Sequence, residues 1–226
     1  MIKLLIFDLD GTILNTLDDL ADSMNYTLAH FSLPTHDTEK YKTFVGNGMA
    51  KLTHRALPEN LRTEDYEKQI LEFFMNHYSK HSLDKTAPYE SILELLNNLK
   101  NRGMKLAVVT NKAHSAAVKI CEHFFGDIFD IVIGQSDKFK TKPAPDSVNF
   151  VLNTLGVSAN DSLFIGDSNV DMQTAHNAEI KSIGVIWGFR SKDELVNAGA
   201  NYIANTPNDI LEIVRRLNNA RNRTEK

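Results

Sequence analysis

The chain has 226 residues, which predicts one domain with a large insertion or two small domains. Hydrophobic residues make up 42% of it, and a chain of this size buries roughly 70% of its unfolded surface on folding. It has 25 Lys and Arg residues and 29 Asp and Glu residues, which gives a net charge of −4. Because binding of the nucleic-acid backbone needs a positive field, we do not expect a nucleic-acid partner. Its single cysteine, Cys121, excludes an internal disulfide bond and a thiolate metal cluster, so we expect a reducing, cytoplasmic compartment.

The first predicted element is a buried strand from Met1 to Phe7, which ends at the turn Asp8-Leu9-Asp10-Gly11-Thr12. Its apolar run is too short for a signal peptide or a membrane span, so we expect no membrane contact. Residues 15–85 are rich in Leu, Ala, Lys, Glu and His and contain no clear strand, which predicts an all-helical insertion. Its predicted helices run from Leu17 to Phe31, from Met49 to Leu57 and from Thr63 to His81.

From Tyr89 onward, short apolar strands alternate with amphipathic helices. The predicted strands are 105–110, 128–133, 162–165 and 180–186, and the predicted helices lie around 92–99, 114–125 and 148–155 and after Pro207. This alternation predicts an α/β fold, a doubly wound parallel sheet with a Rossmann-like core. We expect an α/β core of residues 1–14 and 86–226, with a small helical domain of residues 15–85 inserted after the first strand.

Four polar signatures lie at or near the ends of these strands, where ligands of parallel α/β sheets gather. They are Asp8-x-Asp10-x-Thr12, Thr110-Asn111, Lys142-Pro143 and Gly166-Asp167-Ser168-x-x-Asp171. Paired carboxylates offer a nucleophile and a proton donor, a fixed lysine balances developing negative charge, and hard carboxylate oxygens suit Mg²⁺. Each signature alone is also typical of a turn or a helix cap, but all four in this order favour a functional site.

The four signatures resemble the motifs of the haloacid dehalogenase-like hydrolases, and the resemblance spans nearly the whole chain. Four further segments resemble the phosphoglycolate phosphatase subgroup: Val45-Gly46-Asn47-Gly48, Thr110-Asn111-Lys112, Lys142-Pro143-x-Pro145-Asp146 and Trp187-Gly188-Phe189-Arg190. The helical insertion resembles the small cap domain of that subgroup. Asn15 stands where an Asp is common, and Lys42 where an Arg often precedes the Gly-x-Gly of the cap, so both departures concern the substrate.

The resemblance implies a Mg²⁺-dependent phosphatase. Asp8 would attack phosphorus to form an aspartyl-phosphate, and Asp10 would protonate the leaving oxygen and then activate water. The carboxylates of Asp8 and Asp167 and the backbone carbonyl of Asp10 would bind Mg²⁺. Because dehalogenases of the family lack the second carboxylate, the presence of Asp10 favours a phosphatase.

The other signatures would serve the phosphoryl group. Thr110 and Asn111 would hold its oxygens, and Lys142 would stabilise Asp8 and the transition state. Asp171 would orient Lys142 or a metal-bound water rather than bind the metal itself.

Substrate choice is expected to lie in the cap, because the core contacts only the phosphoryl group. The Gly46-Asn47-Gly48 segment would form a lid loop over the leaving group, with a plain helix–helix turn as the alternative. The cations Lys42, Lys51 and Arg55 are candidates for a substrate carboxylate such as that of 2-phosphoglycolate. Lys42 or Lys51 would instead form an imine in a phosphonate hydrolase, although exposed lysines are usually only solvated.

Several functions stay open at this point. The leading one is hydrolysis of a small phosphorylated metabolite, 2-phosphoglycolate, by a monomer or a homodimer. The alternatives on the same core are hydrolysis of another small phosphate ester or of pyrophosphate, or a sugar-phosphate mutase. A phosphometabolite-binding protein without catalytic activity is the alternative from another class, because a fold does not fix a function.

Overall fold

A central parallel sheet organises the protein. The computed structural model describes residues 1–224, so residues 225 and 226 of the predicted core lie outside the described residues. The strands are β1 Leu4–Phe7, β2 Leu14–Asn15, β3 Ala87–Pro88, β4 Lys105–Ala113, β5 Ile131–Gln135, β6 Ser162–Gly166, β7 Lys181–Val185 and β8 Tyr202–Ala204. Six of them form the sheet in the order β5-β4-β1-β6-β7-β8 with parallel pairing throughout. The predicted α/β fold with a parallel sheet is confirmed.

Besides two short 3₁₀ helices, Glu59–Leu61 and Ala159–Asp161, ten α-helices are described within residues 1–224. They are α1 Leu17–His30, α2 Thr38–Phe44, α3 Met49–Ala56, α4 Glu64–His81, α5 Ile92–Asn101, α6 His114–Phe125, α7 Asp146–Leu155, α8 Asn169–Asn177, α9 Lys192–Asn197 and α10 Pro207–Thr224. The elements α2, α9, β2, β3 and β8 were not predicted, because they have only seven, six, two, two and three residues and are too short to show a clear period. Among the described helices, none combines the length and the apolar composition needed to cross a membrane.

The sheet has an apolar cluster on each face, because successive strand side chains point to opposite sides. In β1, Leu5 and Phe7 belong to the cluster that includes residues of α5, α6 and α10. Leu4 and Ile6 belong to the cluster that includes residues of α7 and α8. All four side chains have 0% exposure, so β1 is the centre of the core and its last residue fixes the position of Asp8.

Helices α1 to α4 bury a third apolar cluster of their own. Tyr41 and Phe74 lie at its centre and are fully buried. The chain leaves the sheet through β2 and returns through β3, and these two short strands pair antiparallel. Because the insertion has a separate core, we propose that residues 15–85 form a cap domain distinct from residues 1–14 and 86–226.

The Asp19 carboxylate of α1 links the start of the insertion to the segment at Lys85 and Thr86, where the chain returns to the core. It accepts hydrogen bonds from the backbone N–H groups of Lys85 and Thr86 and from the Thr86 hydroxyl at 2.7 Å, and its residue is 2% exposed. We expect Asp19→Ala to lower the free energy of unfolding by about 2–3 kcal/mol, because it leaves buried donors without an acceptor.

Urea denaturation measures this effect, and Asp22→Ala is the matched control. Asp22 forms an exposed ion pair with the Lys85 ammonium, and such pairs contribute little to stability. Equal losses in the two variants would show that the Asp19 contacts have no special role.

Candidate active site

The four sequence signatures meet at the carboxyl ends of the central strands. Strands β1 and β6 are parallel neighbours in register, with Phe7 opposite Ile165, so Asp8 follows one strand beside the end of the other. The Asp8 N–H donates to the Ile165 carbonyl at 2.9 Å, which extends the strand pairing by one residue. This backbone pairing brings the carboxylates of Asp8 and Asp167 to one point at the edge of the sheet.

Three buried carboxylates form a cluster at this point. One oxygen from each of Asp8, Asp167 and Asp171 lies within 4.8 Å of the others. Burial raises the pKa of Asp8 to about 7, although the nearby Lys142 ammonium opposes this shift. Burial, with further contributions from Asp171 and Asp8, raises the pKa of Asp167 to about 8. Without a metal ion, the three carboxylates of the cluster are therefore not all ionised at neutral pH.

A buried ammonium offsets part of this negative charge. Lys142 Nζ lies 2.9 Å from Asp8 Oδ1 and 2.7 Å from Asp171 Oδ1, and its side chain is only 2% exposed. Burial lowers the pKa of Lys142, but the adjacent Asp171 and Asp8 carboxylates together raise it by more, so the net shift in the pKa is upward. Lys142 therefore remains charged beside the proposed nucleophile.

Asp171 has two roles at the start of α8. Its Oδ1 accepts from Lys142, and its Oδ2 accepts from the backbone N–H and the hydroxyl of Ser168 at 3.0 and 2.6 Å. The helix-cap alternative therefore holds in part, because Ser168 is the N-cap residue of α8 and Asp171 completes its capping box. Both oxygens of Asp171 are hydrogen-bonded, which suits a residue that orients Lys142.

Asp167 is fixed by two distant segments of the chain. Thr12 Oγ1 donates to its Oδ1 at 3.1 Å, and the Phe189 N–H donates to its Oδ2 at 2.8 Å. A Cβ atom on Gly188 would lie 2.3 Å from the Asp167 Cβ, so only glycine allows this approach. The loop after β7 thus borders the site.

Asp10 contacts a lysine for which the sequence analysis assigned no role. Lys112 Nζ donates to Asp10 Oδ1 at 3.0 Å and to the Tyr78 hydroxyl of α4 at 2.7 Å, and the Lys112 side chain is 1% exposed. In the sequence, the only indication of a role for Lys112 was its position directly after Thr110-Asn111. A contact between the core and the insertion leaves no local pattern in the sequence.

Thr110 and Asn111 lie within the last residues of β4, which continues to Ala113, three residues beyond the predicted end at Thr110. The pairing of β4 with β5 shifts register between Val109 and Ala113. Asn111 Nδ2 donates to the carbonyls of Lys142 and Gly46 at 3.1 and 3.3 Å, and Asn111 Oδ1 accepts from the Lys142 N–H. In this structure the Asn111 side chain therefore fixes the lysine loop and the Gly46 carbonyl.

A small pocket of about 30 Å³ lies between the carboxylates and the insertion. Its lining residues are Asp8, Asp10, Leu20, Val45, Gly46, Gly48, Met49, Leu52, Thr110, Asn111 and Lys112. The loop containing Gly46 and Gly48 therefore borders the site, as a lid would.

The remaining residues proposed for the cap do not line this pocket. Asn47 accepts a hydrogen bond from Arg55 at 2.8 Å, and the Lys42 ammonium pairs with Glu39 at 2.8 Å. Lys51 is exposed on α3. Lys42 and Lys51 are not among the residues that line the pocket, and their contact with a substrate stays a prediction.

The carboxylate cluster fits a hard divalent cation such as Mg²⁺. Its donors are oxygens, it is buried, and its ionised form lacks enough positive charge among the described residues, since Lys142 supplies one cation against three carboxylates. Within residues 1–220, whose side chains are described, Asp8, Asp167 and Asp171 form the one group of three or more such ligands.

Comparisons with known proteins agree with this geometry. The family model described as haloacid dehalogenase-like hydrolase matches residues 5–185. A phosphoglycolate phosphatase of Mannheimia succiniciproducens is 32% identical over 94% of this chain and 98% of its own length. One from Haemophilus influenzae is 33% identical over 89% of this chain and 93% of its own.

Solved structures show the same similarity. A protein from Lactobacillus delbrueckii subsp. bulgaricus superposes with a TM-score of 0.90 at 35% identity, covering 94% of this chain and 98% of its own. A predicted phosphoglycolate phosphatase from Haemophilus somnus gives 0.87 at 32% identity, covering 94% and 97%. The chain therefore belongs to the haloacid dehalogenase-like hydrolases, as an enzyme of the phosphatase type similar to the phosphoglycolate phosphatases.

Proposed function

We propose that this enzyme hydrolyses small phosphomonoesters through a phosphoryl group carried on Asp8. The observation that carries the proposal is the environment of Asp8, which lies beside a buried ammonium and a second carboxylate of a metal-type cluster. Within the described residues, the Asp8 carboxylate accepts from the Leu9 N–H and from the Lys142 ammonium, and both contacts reach Oδ1. The other oxygen, Oδ2, is then available to attack phosphorus or to bind the metal.

The proposed reaction has two steps, transfer of the phosphoryl group to Asp8 and its hydrolysis by water. In the first, a carboxylate oxygen of Asp8 forms a bond to phosphorus while the ester oxygen departs and takes a proton from Asp10. In the second, Asp10 removes a proton from water, whose oxygen attacks phosphorus and releases phosphate from Asp8. Lys142 remains charged throughout and balances negative charge near the transferred group.

The Mg²⁺ requirement follows from the charge of the cluster. We propose that the carboxylates of Asp8 and Asp167 and the backbone carbonyl of Asp10 hold the ion, while Asp171 orients Lys142. When bound, Mg²⁺ neutralises charge on the phosphoryl oxygens and on the buried carboxylates.

The small pocket supports a compact substrate, and we propose 2-phosphoglycolate. A pocket of about 30 Å³ covered by Val45, Met49 and Leu52 favours a leaving group of a few atoms over a sugar or a nucleotide. Relatives that align over nearly the whole chain are phosphoglycolate phosphatases, which supports the same choice. The buried, unpaired Cys121 is consistent with a cytoplasmic location, which we also propose.

Phosphate release tests the proposed function. The panel contains 2-phosphoglycolate, other small phosphomonoesters and pyrophosphate, each assayed with Mg²⁺ or with excess chelator. We expect Mg²⁺-dependent release with the highest kcat/KM on 2-phosphoglycolate. A better substrate elsewhere in the panel would overturn the substrate, and release in excess chelator would overturn the metal requirement.

Stability should respond to Mg²⁺ more strongly at high pH. The pKa of Asp8 and of Asp167 rises from an ordinary value of 3.8 to about 7 and about 8 on folding. Their contribution to stability is therefore present below about pH 4 and lost as the pH rises through these folded values. Because Mg²⁺ binds the ionised carboxylates, we expect it to raise Tm clearly more at about pH 8 than at about pH 5.

Thermal unfolding with Mg²⁺ or chelator measures this difference. Asp167→Asn should reduce the Mg²⁺-dependent rise, whereas Asp137→Asn, at an exposed carboxylate, should retain it. A rise of equal size at both pH values would contradict the assignment of the cluster as the metal site.

A further inference from the structure

The pocket above Asp8 and Asp10 has one cationic side chain among its described lining residues, Lys112. Opposite it, the insertion contributes apolar side chains, including those of Leu20, Met49 and Leu52. A substrate carboxylate that enters such a pocket loses its water and needs a charged or hydrogen-bonding partner. The pocket therefore contains one candidate ammonium for that partner.

The other nearby cations are not among the described residues that line this pocket, and each has partners elsewhere. Lys142 contacts the Asp8 and Asp171 carboxylates of the cluster. Arg55 donates to the Phe44 carbonyl and to Asn47 Oδ1. Arg190 donates to the carbonyls of Lys42 and Val45, at the end of α2 and directly after it.

Lys112 retains the donor capacity for a ligand. An ammonium has three N–H donors, and within the described residues two of them have partners, Asp10 Oδ1 and the Tyr78 hydroxyl. These partners lie on the core and on α4 of the insertion, so the ammonium is fixed at their junction. One donor remains for a group in the pocket that Lys112 lines.

We propose that the Lys112 ammonium binds the carboxylate of the substrate and selects carboxylated phosphomonoesters over neutral ones of equal size. This inference rests on the proposed function, because it assumes a phosphoryl group at Asp8. Lys112 also contacts Asp10, so it places the carboxylate and the proton donor on the same side of the scissile bond. Specificity then resides in a core residue that follows Thr110-Asn111 and not in the lysines of the cap.

The test compares 2-phosphoglycolate with 2-hydroxyethyl phosphate, which replaces the carboxylate by a neutral hydroxymethyl group. In the wild-type enzyme we expect a higher kcat/KM for the carboxylated ester. In Lys112→Met the ratio of the two kcat/KM values should fall by about 30-fold or more, because a buried charge loses its partner. A general loss of rate through Asp10 affects both esters and cancels in this ratio.

Two further variants serve as controls for charge and for local geometry. Lys119→Met removes an exposed lysine of α6 that lies outside the pocket, and it should leave the ratio unchanged. Tyr78→Phe keeps the Lys112 charge and frees one of its donors, so the ratio should be retained or increased. A fall in Tyr78→Phe as large as that in Lys112→Met would show that local geometry and not the ammonium sets the preference, which would overturn the proposal.

Binding measurements cover the case in which Lys112→Met turns over too slowly. In an Asp8→Asn background with Mg²⁺, calorimetry gives the affinity of each ester with and without Lys112→Met. An unchanged affinity ratio overturns the proposal for Lys112. If wild-type enzyme hydrolyses neither ester, the proposed function itself fails, so the two failures are distinguishable.

Discussion

Replacement of Asp8 by Asn is expected to lower kcat by about 10⁴-fold or more, because it removes the nucleophile on which the phosphoryl group is carried. The variant should nevertheless fold. The pKa of Asp8 is raised by burial, so its ionised form is unfavourable in the metal-free protein, and a neutral amide removes that cost. Phosphate release under saturating substrate measures the loss, and thermal unfolding without Mg²⁺ should show an equal or higher Tm at about pH 8.

The matched control is Asp137→Asn, which makes the same chemical change at an exposed position. It should retain wild-type kcat and Tm. If Asp8→Asn kept activity within about tenfold of wild type, a covalent step at Asp8 would be ruled out, because a neutral amide is too weak a nucleophile to carry the phosphoryl group.

Replacement of Lys142 by Met is expected to lower kcat by about 10³-fold and to destabilise the protein as the pH rises. The ammonium lies within 2.9 Å of two buried carboxylates, and Met has a similar length without the charge. The Lys142 charge opposes the upward shift in the pKa of Asp8, so its removal raises that pKa further. A carboxylate with a raised folded pKa stabilises the protein less as the pH increases, so Tm of Lys142→Met should fall more steeply between about pH 5 and about pH 8 than Tm of the wild type.

Lys140→Met, at an exposed lysine of the same loop, should change neither kcat nor the pH dependence of Tm. Activity measured at saturating Mg²⁺ separates the loss of the ammonium from weaker metal binding. A Lys142→Met enzyme with unchanged kcat at saturating Mg²⁺ would show that the ammonium has no part in the transition state.

The core of the site could be predicted from the sequence because each signature is local. Asp8 follows a strand that is apolar on both faces, and Asp167 follows another, so the parallel sheet alone brings them together. The alternation of strands and helices predicted this sheet without any knowledge of the contacts. The capping box that fixes Asp171 also lies within four consecutive residues.

The contacts between the insertion and the core could not be predicted in the same way. The bonds from Lys112 to Tyr78 and from Arg190 to the Lys42 and Val45 carbonyls join residues far apart in sequence. Their formation depends on how α4 and the lid loop pack against the sheet, which no spacing encodes. For the same reason, the sequence offered Lys51 as a candidate substrate ligand and gave no role to Lys112, whereas the structure exposes Lys51 and buries Lys112 beside the pocket.

The central claim is that the phosphoryl group passes through Asp8, and trapping it is the most direct measurement. Wild-type enzyme is quenched in acid during turnover of 2-phosphoglycolate with Mg²⁺, reduced with borohydride and digested for mass spectrometry. Because borohydride reduces an aspartyl-phosphate to homoserine, the account predicts homoserine at position 8 only when substrate is present. Steady phosphate release with an unmodified Asp8 peptide at every quench time, or with the modification at another carboxylate, would contradict it.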